Sequence, residues 1–138
     1  MANEISDAKD GLATLLATIS GLRVLDHPAD SISEFPSAVV MFESRNASDT
    51  LAGSGFAGEL KVVLLVSSSN TKEAYDTLDS FMDPLGANSI EAAISADVTW
   101  GSKVDDGRLV SVNNIGRRKL WGGSYIAADF HISFVKGA

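Results

Sequence analysis

The sequence contains no cysteine in its 138 residues. Disulfides, thiolate metal ligation and thiol catalysis are therefore excluded, and the fold needs no oxidising compartment. Histidine is scarce as well, with only His27 and His131. No apolar run approaches the roughly 20 residues of a membrane-spanning helix. The opening M-A-N-E-I-S-D-A-K-D is polar and acidic, whereas a secretory signal starts basic and turns apolar. These absences predict a soluble protein made in the cytoplasm. Basic charge is also in short supply: 11 Lys and Arg against 18 Asp and Glu leave a net charge of -7. Non-specific wrapping of nucleic acid depends on Lys and Arg displacing phosphate counterions, so that mode is disfavoured.

What is present is a long alternating stretch near the carboxyl end, Ser124 to Val135. Ile126, Ala128, Phe130, Ile132 and Phe134 share one face of an extended chain, and Tyr125, Ala127, Asp129, His131 and Ser133 share the other. At about 12 residues it exceeds the usual strand length of about 5 to 6, so it belongs inside a sheet, with one face on a core and the other wetter. The remaining segments supply its neighbours.

Ile5, Ala8, Leu12, Leu15, Leu16 and Ile19 form the apolar stripe of an amphipathic helix, with Asp7 and Asp10 near its positive end and Gly21 as its carboxyl cap. A short strand, Leu22 to Leu25, precedes Pro28, and a second, Ala38 to Glu43, follows Pro36. Ser44 to Gly58 is poor in large apolar residues and rich in Gly and Ser, which predicts a long flexible loop or an extended β-hairpin arm. Segments of that kind are often functional, so it is the first candidate for partner contact, with Arg45, Asp49 and Phe56 as its contact residues. Glu59 to Ser68 is apolar on both faces and reads as a central strand. A helix then carries Ala74, Leu78, Phe81 and Met82 behind Asn70 as cap, and closes at Pro84 and Gly86. A shorter helix spans Ser89 to Ala96, capped by Asn88 with Glu91 three residues on. Asp105-Asp106-Gly107 is turn chemistry leading into a strand, Arg108 to Val112, which N-N-I-G interrupts. Asn113 to Gly123 then forms a second loop holding Arg117, Arg118, Lys119 and Trp121.

The order predicts a single α+β domain over residues 1–138, with a largely antiparallel or mixed sheet and about three helices on one face. Candidates for chemistry are thin. Gly53-Ser54-Gly55-Phe56-Ala57-Gly58 has G-x-G-x-x-G spacing, but the phosphate-binding version follows a strand and opens a helix, whereas this one opens a strand. Asp129 and His131 alternate on one strand face without further ligands or a nucleophile, which favours a solvated face over a metal or base site. His27 beside Pro28 reads as a turn residue. Asp76, Asp79 and Asp83 lie along a helix as a solvated surface, since a Ca²⁺ site needs oxygen ligands wrapped by a loop. The basic triplet is simplest as a solvated turn, and Trp121 among glycines is either a core residue or an exposed anchor. Neither a catalytic group nor a cofactor or metal site is expected.

Several segments in order, I-S-G-L-R-V after the opening helix, P-S-A-V-V-M-F, E-L-K-V-V-L-L-V-S, L-D-S-F-M-D-P-L-G-A-N-S-I-E-A-A-I and G-S-Y-I-A-A-D-F-H-I-S-F-V, resemble tail terminator proteins of long-tailed bacteriophages, particularly those of actinobacteria. The resemblance spans nearly the whole chain and rests on segment order and character, without a single diagnostic motif. It implies a structural virion protein, a hexameric ring capping the head-proximal end of the tail tube at the neck. Its partners would be copies of itself, the major tail tube protein and the head-side connector, with genomic DNA passing through the lumen unbound and no membrane involved. Related neck subunits share the plan, so a head-side connector or other neck subunit is the alternative, and a nucleotide-binding module using Gly53 to Gly58 or the Asp129/His131 pair is a more remote one. The Ser44 to Gly58 arm then falls at the tube contact or an adjacent subunit. The Asn113 to Gly123 loop falls at the lumen or neck, with the basic triplet facing acids of a neighbouring chain.

Overall fold

The computed structural model describes residues 4–19, 21–25, 35–47, 56–67, 71–120 and 123–136. Helix α1 (Glu4–Leu16) leads to strands β1 (Arg23–Leu25), β2 (Ser37–Ala47) and β3 (Phe56–Val66). Helices α2 (Thr71–Met82) and α3 (Ile90–Ala96) follow, then the long strands β4 (Asp106–Leu120) and β5 (Gly123–Lys136). The five strands form one mixed sheet in the order β1-β2-β3-β5-β4, with β1 parallel to β2 and every other pair antiparallel. This is the α+β architecture that the order of segments predicts.

Period-two patterning decides which face of the sheet carries the helices. Leu60, Val62 and Leu64 of β3 and Ile126, Phe130, Ile132 and Phe134 of β5 are fully or almost fully buried against α1, α2 and α3. Leu12 and Leu16 of α1, Leu78 and Phe81 of α2, and Ile90 and Ile94 of α3 complete this core. Truncating one such Leu to Ala costs about 2–5 kcal/mol. β3 is apolar on both faces because Val63 and Leu65 join a smaller cluster on the helix-free side, with Val39, Tyr125 and Ala127. The second face of β5 is therefore less wet than its alternation suggests. Tyr125, Ala127 and Asp129 are all buried, and the Tyr125 ring sits 5.7 Å from that of Phe35.

Three local details differ from the sequence reading. Helix α1 ends at Leu16, and the chain tightens through Thr18 N–H to Leu15 C=O (3.1 Å) and Ile19 N–H to Leu16 C=O (3.0 Å). Gly21, with φ of 82°, turns the chain into β1 instead of capping the helix directly. The cap of α3 is Ser89, whose hydroxyl accepts from Ala92 N–H at 3.0 Å, and not Asn88. The Asn70 cap proposed for α2 lies outside the described residues. The Asp105-Asp106-Gly107 turn is displaced too: Asp106 and Gly107 already belong to β4.

The tight turn comes earlier, at Trp100, Gly101 and Ser102, all with positive φ. Asp97 holds this turn by accepting from Thr99 N–H (3.0 Å), Thr99 Oγ1 (2.6 Å) and Gly101 N–H (2.9 Å). The hydrogen bond from the Thr99 hydroxyl is the main reason its carboxyl titrates below the ordinary value, with the Gly101 and Thr99 amides adding to it. Trp100 is thereby placed over Gly107 and 5.5 Å from the Phe134 ring.

Candidate interaction surface

The largest departure from the sequence reading is β4. Residues 113–120, expected to lie in a loop, continue the strand and pair with β5 down to Leu120 opposite Gly123. The N-N-I-G segment is absorbed as an irregularity. Register shifts between Asn113 and Gly116, where Asn114 takes φ of 53° and Gly116 φ of 149°. Asn and Gly adopt such angles readily, so the same residue types that make turns also make a bulge. A second shift, between Leu109 and Ser111, leaves Val110 65% exposed.

The bulge aims polar side chains at the helix-free face. Arg118 donates to Asp129 through Nη2 (2.6 Å to Oδ1) and Nη1 (3.2 Å to Oδ2), and Asn114 Nδ2 donates to Oδ2 at 3.0 Å. Asp129 is 1% exposed. Burial pushes its carboxyl pKa up. The Arg118 and Asn114 hydrogen bonds and the charges of Arg118 and Lys61 outweigh that and hold it below the ordinary carboxylate value. Asp129 is thus a buried, paired anion and not the solvated group its alternation predicted. Two residues along β5, His131 Nδ1 lies 3.2 Å from Glu43 Oε2 of β2, and Nε2 lies 2.9 Å from Asn113 Oδ1 of β4. A shallow groove of about 250 Å³ runs beside it, lined by Glu59, Val110, Ser111, Asn113, His131 and Ile132.

The basic triplet is split by strand alternation. Arg118 points to the helix-free face and pairs with Asp129 of its own chain through its two terminal nitrogens, while its buried Nε has no hydrogen-bond partner among the described residues. Arg117 and Lys119 are exposed and point to the other face. Arg45 and Phe56 belong to β2 and β3, with Arg45 opposite Gly58 and Phe56 opposite Ala47. The hairpin arm is therefore paired up to residues 47 and 56. The side chains of Arg45 and Phe56, and all of Asp49 and Trp121, lie outside the described residues. Gly58, the last glycine of the G-x-G-x-x-G match, is inside β3 against the Phe134 ring. A strand at that point cannot present a helix amino terminus to a phosphate.

Asp76 pairs with Lys72 at 2.9 Å on the exposed side of α2, and Asp79 and Asp83 are exposed beside it. Among the described residues no cluster of His, Asp and Glu is arranged to hold a metal, and no helix is long and apolar enough to cross a membrane. The features that stand out belong to β4. It is an edge strand of the sheet, 15 residues long, with Val110 and Ile115 (47% exposed) as apolar points and Arg117 and Lys119 as charged ones. Sequence reasoning missed Asn114, Val110 and Ile115 because their roles depend on register, which nothing local encodes. No protein-family model matches this chain, and no curated protein matches it significantly.

Proposed function

We propose that this chain is a structural subunit of a phage neck, a tail terminator that forms a ring on the head-proximal end of the tail tube. The reading starts from the resemblance of its ordered segments to that family. The observation that carries it furthest is β4: a 15-residue strand at the edge of the sheet, unpaired on its outer side among the described residues. A long free edge is a liability in a solitary domain and an asset in a subunit that joins others. In this reading the ring is a hexamer of identical chains, contacting the tube protein on one side and the head-side connector on the other. An acidic chain suits a lumen through which DNA must slide without being held.

A head-side connector is the second reading, since it would use the same kind of edge. Electron microscopy of lysates from a phage deleted for this gene separates the two. Headless tubes of uncontrolled length are the expected result. Free tails of normal length beside filled heads would assign the chain to the connector, and normal particles would overturn both.

A further inference from the structure

Charge is distributed very unevenly along this chain. β4 holds Arg108, Arg117, Arg118 and Lys119 against the single acid Asp106, so the rest of the sequence carries 7 cations and 17 acids. Arg118 is neutralised by Asp129 and Arg108 by Asp106. Arg117 and Lys119 are left exposed without an ion-pair partner among the described residues, next to the exposed apolar Ile115. A complementary patch lies at the carboxyl end of α2. Asp79 and Asp83 are exposed there, the last turn has no basic residue, and Leu85 is 91% exposed. Acids at a helix carboxyl terminus add to the negative end of its dipole, so this end is suited to a cation from outside.

Asp83 and Leu85, at the far end of α2, lie apart from the Arg117 end of β4, although Tyr75, one turn before Asp79, reaches Gly116. Arg117 pairs with Ile126, which pairs with Val66. The opening turns of α2, at Glu73 and Ala74, line a pocket with Val66 at that same end of the sheet. Asp83 is nine residues beyond Ala74, roughly 14 Å further along the helix axis. Two different, complementary patches on one subunit are what a head-to-tail contact between identical chains requires. We propose that the carboxyl-terminal end of β4 in one copy, through the exposed side chains of Ile115, Arg117 and Lys119, docks on the carboxyl end of α2 in the next copy, through Asp79, Asp83 and Leu85. The contact rests on the ring reading and supplies its interface.

Charge exchange tests it. Arg117→Glu with Lys119→Glu, and separately Asp79→Lys with Asp83→Lys, should each weaken self-association by about tenfold or more in sedimentation velocity. All four sites are exposed, so circular dichroism should show both variants folded. Mixing the two variants should restore assembly, because each then meets its complement. Raising salt to about 1 M, where the Debye length is about 3 Å, should weaken the wild-type contact as well. An oligomeric wild type whose charge-reversed variants assemble normally would overturn this interface and leave the ring standing. A wild type that stays monomeric both at its solubility limit and on isolated tail tubes would overturn both. A monomeric wild type whose Arg117→Glu/Lys119→Glu variant loses binding to tubes would put a different protein at β4 and overturn the contact between copies.

Discussion

Arg118 on β4 grips Asp129 on β5 with both terminal nitrogens, joining the edge strand to its neighbour across the helix-free face. The carboxylate is 1% exposed, and the guanidinium is about one quarter exposed. Such a pair is worth little compared with a well-packed apolar substitute, but removing one partner strands the other. Arg118→Ala should cost about 2–3 kcal/mol, below the 3–5 of a fully buried pair because Arg118 retains some solvent. Urea denaturation of Arg118→Ala, Asp129→Ala and the double variant should show a coupling of about 1–3 kcal/mol. Strict additivity would mean that the pair is incidental.

The same carboxylate sets an acid limit on stability. Its folded-state pKa is depressed by Arg118, Asn114 and Lys61 against the opposing effect of burial. A depressed value means that the stabilisation is complete above the unfolded pKa of about 3.9 and is lost as pH falls through the folded value. Asp97, depressed mainly by its Thr99 hydroxyl bond, acts in the same direction. Asp129→Asn should be less stable than wild type at pH 7 and lose less on going from about pH 5 to pH 2. Parallel pH profiles for the two proteins would exclude Asp129 as a source of the acid limit.

The difference between what the sequence makes legible and what it hides follows from where each residue sits in the sheet. β3 and β5 are interior strands, so their apolar periodicity is strong and their faces can be read directly. β4 has solvent along its outer side, and two register shifts move its alternation out of phase. Asn113 to Lys119 consequently looks like a loop, although it pairs with β5 on both sides of the bulge at Asn114 and Ile115. The burial of Asp129 was hidden for a related reason. Its partner lies 11 residues upstream on another strand, and only the register of β4 against β5 brings the two together.

Gly107 is required by Trp100. A methyl group built at Gly107 would overlap the indole ring, which is 1% exposed and wedged between this strand and Phe134. Gly107→Ala must therefore push the ring aside or bend β4, at about 1–3 kcal/mol for overpacking. The shift should also change the near-ultraviolet circular dichroism, because the Trp100 ring packs at a tilt against that of Phe134. A variant as stable as wild type with an unchanged aromatic spectrum would mean that the strand yields at no cost.

Asn88 and Ser89 both have capping chemistry, and sequence pattern alone does not choose between adjacent residues of this kind. The geometry does. Ser89 has extended backbone angles (φ -64°, ψ 120°), its hydroxyl accepts from Ala92 N–H, and its side chain is buried with Ile90 behind it. Without the hydroxyl the Ala92 N–H would have to find another acceptor in a partly buried place. Ser89→Ala should cost about 1 kcal/mol. Asn88→Ala, which removes no cap, should stay within about 0.5 kcal/mol of wild type. The reverse ranking in a denaturant titration would put the start of α3 one residue earlier and return the cap to Asn88.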